Sequence, residues 1–387
     1  MDRSSRARDG AKLIEAPERI PWVRPILDPG GSLLADIHAA LSSGRVTNDG
    51  PHLREFERQL ADYLGVEDCV AVSSGSAALL LAILALDLRG GTAVLPSFTF
   101  LATLNAILLA GMTPVFCDIE PETWTLSPTH LDRLLAADPS IRLVVPVNVF
   151  GVHPDLGAIR GAVDGRGAAL VLDSAHGFGT EDGAARCPRA APVQAYSFHA
   201  TKALPAVEGG AVVASDARLL AEVRRLRNHG IASDPLASAP GFNVKMSELH
   251  AIVGLRSLQV LEATLARRRE YAERLRRTMA ADCADVFSVQ VIPRGMRSNF
   301  QNLGVLCRRS GHPNVQSIQT ALDRAGIETR RYFWPPLHQL PAYRGRCTLP
   351  VTDAVGEAIL CLPLHSRMDP AVLDRIEDAL RQAARTG

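Results

Sequence analysis

The 387-residue chain is 47% hydrophobic and 21% charged, and 42 Lys+Arg against 41 Asp+Glu leave a formal net charge of +1. This is the composition of a soluble globular protein long enough for two domains, or for one large α/β unit with an appendage. The near-zero charge excludes the basic footprint of a nucleic-acid or anionic-membrane binder, so neither partner is expected.

The first twenty residues carry charges of both signs without the apolar stretch of a signal peptide, and read as a loose arm over 1–20. The most apolar run, Ala77 to Leu86, is shorter than the about 20 residues that span a bilayer. Seven scattered cysteines without a CxxC pair argue against a disulfide framework or zinc site and for a reducing compartment. A cytoplasmic protein with no metal is expected.

From about Ile20 to Gly254, short apolar runs alternate with helix-length segments. Val70–Val72, Ala93–Leu95, Val115–Cys117, Leu143–Val147 and Ala169–Leu172 read as buried strands of a mainly parallel sheet. Ala77–Leu86, Leu101–Leu109, Thr129–Ala136 and Leu156–Val163 read as the helices between them, a βαβ alternation that predicts a doubly wound α/β fold. Ala195–Phe198 and Gly210–Ala214 add two strands. Leu255 to about Met279, rich in Arg, Glu and Leu, predicts a helix leading to a smaller domain. Its basic run, Arg267-Arg268-Arg269, reads as a solvated face. Strand-like Phe287–Ile292 and Gly304–Leu306 then alternate with helical Val315–Ala325 and Pro370–Ala384, an α+β arrangement. The expected division is an arm over 1–20, a large domain over 21–254, and a linking helix with a small C-terminal domain over 255–387.

Three features carry chemistry. Ser73-Ser74-Gly75-Ser76-Ala77-Ala78 follows a predicted strand and opens a predicted helix. Free backbone N–H groups and the helix dipole there suit an anion such as phosphate, and equally an ordinary serine N-cap. Asp173, in LVLDSAH, ends a predicted strand at the sheet edge where open α/β folds bind ligands. It could hold a metal, a ribose or a protonated ring nitrogen, or cap a turn. Lys202, in SFHATKALPAVEGG (197–210), is one of three lysines, with Lys12 and Lys245, in a chain that otherwise uses arginine. Arginine cannot become a neutral amine and lysine can. A lysine, an acid and an anion cradle together suit pyridoxal phosphate, which needs an amine for its aldehyde, a partner for its ring nitrogen and a phosphate site.

With these residues in view, the chain resembles the DegT/DnrJ/EryC1/StrS family of sugar aminotransferases, which have the aspartate aminotransferase-like fold type I. The resemblance runs from about Ile20 to Leu380 through VSSGSAAL (72–79), LPSFTFLATLNAILLAGMTPVFCDI (95–119), LVLDSAHGFGT (170–180), SFHATK with EGGAVV, LRNHGI (226–231), GFNVKMSELHAIVGL (241–255), ETRRYFWPPLHQLPAYR (328–344) and LPLH (362–365). It implies a homodimeric, pyridoxal phosphate-dependent aminotransferase with shared active sites. Lys202 would bond the cofactor aldehyde and shuttle the proton, and Asp173 would pair with the ring nitrogen. Ser76, the Ala77 backbone and Ser197 would hold the phosphate, and Asn243 would reach the phosphate of the neighbouring subunit. Phe100 would stack on the ring and His176 would lie beside it. Lys245, Arg330, Arg331, Tyr332 and His338 are substrate candidates.

The resemblance further implies L-glutamate as donor and, as acceptor, a nucleotide-linked 4-keto- or 3-keto-6-deoxyhexose. A keto-cyclitol or another non-sugar ketone is the alternative acceptor. A non-catalytic cofactor-binding protein is the further alternative, against which Lys202 and Asp173 both count. The chain departs from the family pattern in three places: Lys245 stands where many members have Arg, 184–194 lacks a Gly-rich lead-in, and ALPAV (203–207) is unusual.

Overall fold

The structure is a computed structural model that describes residues 19–386 except 26, 28–30, 89, 232–239 and 310–311. The expected arm over 1–20, with Lys12, therefore lies almost wholly outside the described residues.

Helices α1 (Leu33–Ser43) and α2 (Pro51–Leu64) precede β1 (Val70–Val72). The chain then alternates α3 (Gly75–Leu84), β2 (Thr92–Pro96), α4 (Leu101–Leu109), β3 (Thr113–Cys117), α5 (Pro128–Ala137), β4 (Ile141–Val144), α6 (Leu156–Val163) and β5 (Ala169–Asp173). A two-residue strand, β6 (Glu181–Asp182), leads to β7 (Val193–Ser197), β8 (Gly210–Ala214) and α7 (Ala217–Arg227). Seven of these strands form one sheet in the order β1-β8-β7-β5-β4-β2-β3. Every neighbouring pair is parallel except the two made by β8, which is antiparallel to both β7 and β1.

The uninterrupted apolar runs in the sequence have their physical cause here. Residues of β1, β2 and β7 are buried on both faces of the sheet. Val72, Leu79, Leu95, Leu143, Val171 and Val212 share one core between sheet and helices.

Two glycines of the 197–210 segment are required by close approach. Gly210 pairs with both Ser197 and Val72, and a Cβ on it would lie 2.5 Å from the Ser74 carbonyl oxygen. A Cβ on Gly209 would lie 2.4 Å from Met246 Cε. Between Lys202 and these glycines, Leu204 and Ala206 are buried beside Phe56 and Phe198, and Val207 takes φ +65°, a conformation a β-branched residue rarely adopts. The 184–194 segment is gathered by Gln194, whose Nε2 donates to Pro188 O at 2.9 Å and Ala191 O at 3.3 Å.

The predicted helix over 255–279 is two helices, α8 (Glu248–Gln259) and α9 (Leu261–Asp282), separated at Val260 (φ −109°, ψ 6°). Arg268 and Arg269 do not form a solvated face. They lie on the packed side of α9 with Leu265, Ala272 and Leu275, following the helical period, and only Arg267 of that run is exposed. Beyond α9 come β9 (Phe287–Val289), β10 (Met296–Arg297), β11 (Leu303–Arg309), β12 (His312–Pro313), α10 (Val315–Arg324), α11 (Pro350–Ala358), β13 (Ile359–Leu362) and α12 (Pro370–Thr386). Strand β11 pairs antiparallel with β9, β12 and β13, and β10 pairs with β6. Leu275, Phe287, Val305, Ile318, Leu360 and Ile376 make a separate core under this second sheet. No described helix is long and apolar enough to cross a membrane.

Candidate active site

The parallel strands β1, β5 and β7 end on one edge of the large sheet, and β8 begins there. A cavity of about 260 Å³ opens at this edge, lined by Ser76, Phe100, Asp173, His176, Ser197 and Lys202 among others. The C-terminal edge of the parallel strands is where this class of sheet offers loops and helix N-termini to a ligand.

Asp173 is the last residue of β5 and is 5% exposed. Its Oδ2 accepts from Thr103 Oγ1 at 2.7 Å and its Oδ1 from the Ala175 amide at 3.0 Å. Burial pushes its pKa up, opposed by those two hydrogen bonds and by the charge of Lys202. No ion pair to Asp173 forms among the described residues, so the carboxylate faces the cavity short of positive charge.

Lys202 sits in a turn closed by its own N–H, which donates to His199 O at 2.8 Å. Burial lowers its pKa to about 8, with Asp173 pulling the other way. At that value about a tenth of the side chain is neutral amine at pH 7, against well under a thousandth for an ordinary lysine. His176 stacks with Phe150 and Phe333, ring centroids 6.0 and 6.1 Å apart. Its Nδ1 lies 3.3 Å from the Phe150 amide and accepts from it, which leaves the ring proton on Nε2. Burial, then the Lys202 charge, holds the imidazole well below its ordinary pKa and therefore neutral.

Helix α3 points its N-terminus at the same cavity. Ser74 caps it, its Oγ accepting from the Ala77 amide at 3.1 Å. The Gly75 and Ser76 amides, the first two of the helix, donate to no other described group. A Cβ on Gly75 would lie 2.5 Å from Ser197 Cβ, so the helix end presses against the end of β7 and Ser197 borders the same small space. A phosphate fits that chemistry, and a cationic ring nitrogen supplies the charge Asp173 lacks. An aldehyde suits the amine of Lys202. The residues present therefore fit pyridoxal phosphate.

The remaining sequence candidates divide. Phe100, 54% exposed at the mouth, and Tyr332, edge-on to Trp22 with centroids 5.4 Å apart, both line the cavity. Asn243 and Lys245 do not line it. They lie in a segment beside β1, where Lys245 Nζ donates to Asn243 Oδ1 at 2.7 Å and Asn228 Oδ1 at 3.0 Å. Arg330, Arg331 and His338 are engaged away from the cavity. Arg330 pairs with Glu328 at 2.5 Å, while Arg331 donates to the Gly356 and Glu357 carbonyls and lies over Trp334. His338 is buried, its Nδ1 2.7 Å from Ser97 Oγ and its Nε2 3.1 Å from Asp353.

Sequence reasoning passed over Trp22, Thr103, Asn148, Gln301, Asn302 and Phe333. Thr99, two residues ahead of α4, and Thr103 within it were the only local signal, and their 2.9 Å hydroxyl contact continues to Asp173. The others arrive from distant segments, with no pattern of their own. Among the described residues, no cluster of three or more His, Cys, Asp or Glu is placed to hold a metal ion.

Comparisons with known proteins agree with this geometry. A model of the DegT/DnrJ/EryC1/StrS aminotransferase family matches residues 30–381. The chain is 30% identical over 363 residues to a dTDP-4-amino-4,6-dideoxy-D-glucose transaminase of Shigella dysenteriae, covering 93% of this chain and 97% of that protein. The structure of DesI, solved in the presence of its TDP-sugar product, superposes with a TM-score of 0.88 at 34% identity, covering 96% of this chain and 94% of that one. DesV of S. venezuelae gives a TM-score of 0.87 at 28% identity, covering 96% of this chain and 100% of that one. Fold and site together define a fold-type I, pyridoxal phosphate-dependent aminotransferase. Within that class, the chain belongs to the DegT/DnrJ/EryC1/StrS aminotransferase family.

Proposed function

We propose that this enzyme moves the amino group of L-glutamate onto the keto carbon of a nucleotide-linked 4-keto- or 3-keto-6-deoxyhexose. The observation that carries the reading is one cavity holding a lysine shifted toward the neutral amine, a buried carboxylate with no ion pair among the described residues, and two helix amides with no described acceptor. The acceptor class is supported by the sugar transaminase named among the relatives and by the TDP-sugar product named with the DesI structure.

Lys202 would hold the cofactor aldehyde and Asp173 its ring nitrogen. The Gly75 and Ser76 amides with the Ser76 and Ser197 hydroxyls would hold the phosphate, while the Ala77 amide stays with the Ser74 cap. Phe100 and His176 would flank the ring. Bound pyridoxal phosphate supplies a conjugated sink for the electron pair left when a Cα–H bond breaks. Lys202 Nζ, released from the aldehyde as the amino group of glutamate takes its place, would take the proton from Cα; water supplies the keto oxygen of the departing 2-oxoglutarate, and the nitrogen stays behind with the cofactor. In the second half of the cycle that nitrogen would replace the keto oxygen, which leaves as water, the same amine would return a proton to the former keto carbon, and Lys202 would take back the aldehyde as the amino sugar departs. Asp173, as carboxylate, fixes the charge that keeps the sink electron-poor, and Thr103 holds that carboxylate in place. The aromatic wall of Trp22, Phe100, Tyr332 and Phe333 limits water at Nζ. Asn243 lies outside the lining of its own cavity, and we assign it to the phosphate of a second copy, which makes the working unit a homodimer.

The test is a two-stage titration. Glutamate added to the purified, cofactor-loaded enzyme should abolish its visible absorption band. Nucleotide-linked keto sugars and keto-cyclitols are then added singly. Return of the band with a nucleotide keto sugar supports the proposal. Return only with a keto-cyclitol moves the acceptor class, and a colourless protein inert to added pyridoxal phosphate overturns the reading.

A further inference from the structure

Resting on the assignment of Lys202 as the reactive amine, we infer that Gln301 is a positioning residue that clasps the lysine's main chain on both sides. Gln301 Oε1 accepts from the Ala203 amide at 2.9 Å, and its Nε2 donates to the Thr201 carbonyl at 2.8 Å. One planar amide thus fixes the peptide groups before and after Lys202. The orientation is unambiguous, because a flipped amide would set oxygen against carbonyl and nitrogen against N–H.

The clasp comes from outside the large sheet. Gln301 lies in Ser298–Asn302, just ahead of β11, and is 5% exposed. Its own N–H donates to Asn299 Oδ1 at 2.7 Å, and its carbonyl accepts from Arg268 Nη2 at 2.8 Å. The same Nη2 reaches Phe300 O at 2.6 Å, and Arg269 Nε reaches Ser298 O at 3.0 Å. These are the two buried arginines of α9, and four of the six main-chain carbonyls they bind belong to this one segment, the other two being Gly179 and Leu364. Asn299 extends the splint to the other catalytic loop, its Nδ2 donating to His176 O at 2.9 Å and Phe178 O at 2.8 Å.

The need for a clasp follows from the chain itself. Lysine carries its amine on a flexible four-carbon stem, so its aim depends on how firmly its root is held. The segment after it contains Pro205, which has no N–H to donate, and Val207 in its left-handed conformation. Gln301 supplies from across the molecule what the turn lacks locally.

Gln301 also lines the cavity, so a contact with the sugar is the competing role. Two full-length variants separate the roles: Gln301→Leu keeps bulk and loses both hydrogen bonds, and Gln301→Glu keeps only the acceptor. In the apoprotein, pH-dependent acetylation of the three lysines, read by mass spectrometry, gives the Lys202 midpoint, expected at about 8 in the parent. Gln301→Leu should raise that midpoint by about one pH unit, as the loosened turn lets the amine reach water. In the loaded enzyme it should slow the glutamate half-reaction about 10- to 100-fold at unchanged KM for the keto sugar. Gln301→Glu should fall between, and carries the test if the leucine variant fails to fold. An unmoved midpoint with a half-reaction within twofold of the parent overturns the inference, and so does a rise in sugar KM alone. Failure of the Lys202 assignment looks different: borohydride then fixes the cofactor to another lysine, or to none, in the parent enzyme itself.

Discussion

Thr103→Val removes one hydroxyl from α4 and keeps the side chain's shape. That hydroxyl donates to Asp173 Oδ2 at 2.7 Å and, having spent its proton there, accepts from Thr99 Oγ1 at 2.9 Å. A hydrogen bond to a charged, buried group is worth about 1.5–3 kcal/mol. This corresponds to about one to two units of pKa, or about a 10- to 150-fold change in any binding constant that requires ionised Asp173. The sign is fixed by the environment: burial already raises the Asp173 pKa, and the Thr103 bond is the largest effect opposing it. Its loss raises the pKa further. The assay is titration of the apoprotein with pyridoxal phosphate, following the visible band from about pH 5 to 9. The valine variant should bind more weakly by that factor, the deficit growing as pH falls and the carboxylate takes up a proton, and Thr103→Ser should restore most of the loss. A dissociation constant within twofold of the parent at every pH refutes the role given to Asp173.

Three further outcomes follow from the same geometry. The Lys202 pKa is lowered from 10.5 to about 8, so the buried ammonium costs the apoprotein stability below pH 8 and that cost disappears as pH rises from about 8 to 10.5. Lys202→Met should therefore melt higher than the parent at pH 7, by less than about 3 kcal/mol because the side chain keeps some contact with water, and the gap should close by pH 10.5; a pH-independent gap contradicts the burial of the amine. His338→Ala takes one hydrogen bond from Ser97 Oγ, which keeps the residue-338 N–H, and one from the Asp353 carboxylate, which keeps Gln339 Nε2, so it should cost about 1–3 kcal/mol of stability in a denaturant melt while sugar KM stays within twofold; a KM rise without destabilisation returns His338 to the substrate site. Co-refolding inactive Lys202→Ala with Asn243→Ala should recover about a quarter of parental activity, since half of random dimers are mixed and each rebuilds one complete site; no recovery places Asn243 in its own subunit's chemistry or outside it.

The sheet was legible because most of its strands are buried on both faces. Runs such as Val70–Val72 and Ala169–Leu172 have no polar alternation to confuse with an amphipathic helix, and β5 exceeds its predicted bounds only by Asp173 itself. Lys202 and Asp173 were legible for chemical reasons, one by the scarcity of lysine and the other by its place at a strand end. The buried state of Arg268 and Arg269 was not, because charge patterning predicts a wet face and says nothing of six carbonyls waiting for donors at 179, 298–301 and 364. Arg330, Arg331 and His338 stand in the right block of sequence, but only Tyr332 of that block's candidates reaches the cavity. Which side of an irregular segment faces a cavity depends on φ and ψ that spacing does not encode. Gln301 was invisible for a related reason, and the Thr99/Thr103 spacing did not reveal its target, since each residue acts on one about 70 to 100 positions away.

Reduction of the loaded enzyme with borohydride, followed by peptide mapping, bears most directly on the role of Lys202. The chain has only Lys12, Lys202 and Lys245 to choose between. The cofactor should be found on the peptide carrying Lys202 and be absent from the Lys202→Ala protein. A label on Lys12 or Lys245, or none at all, contradicts it.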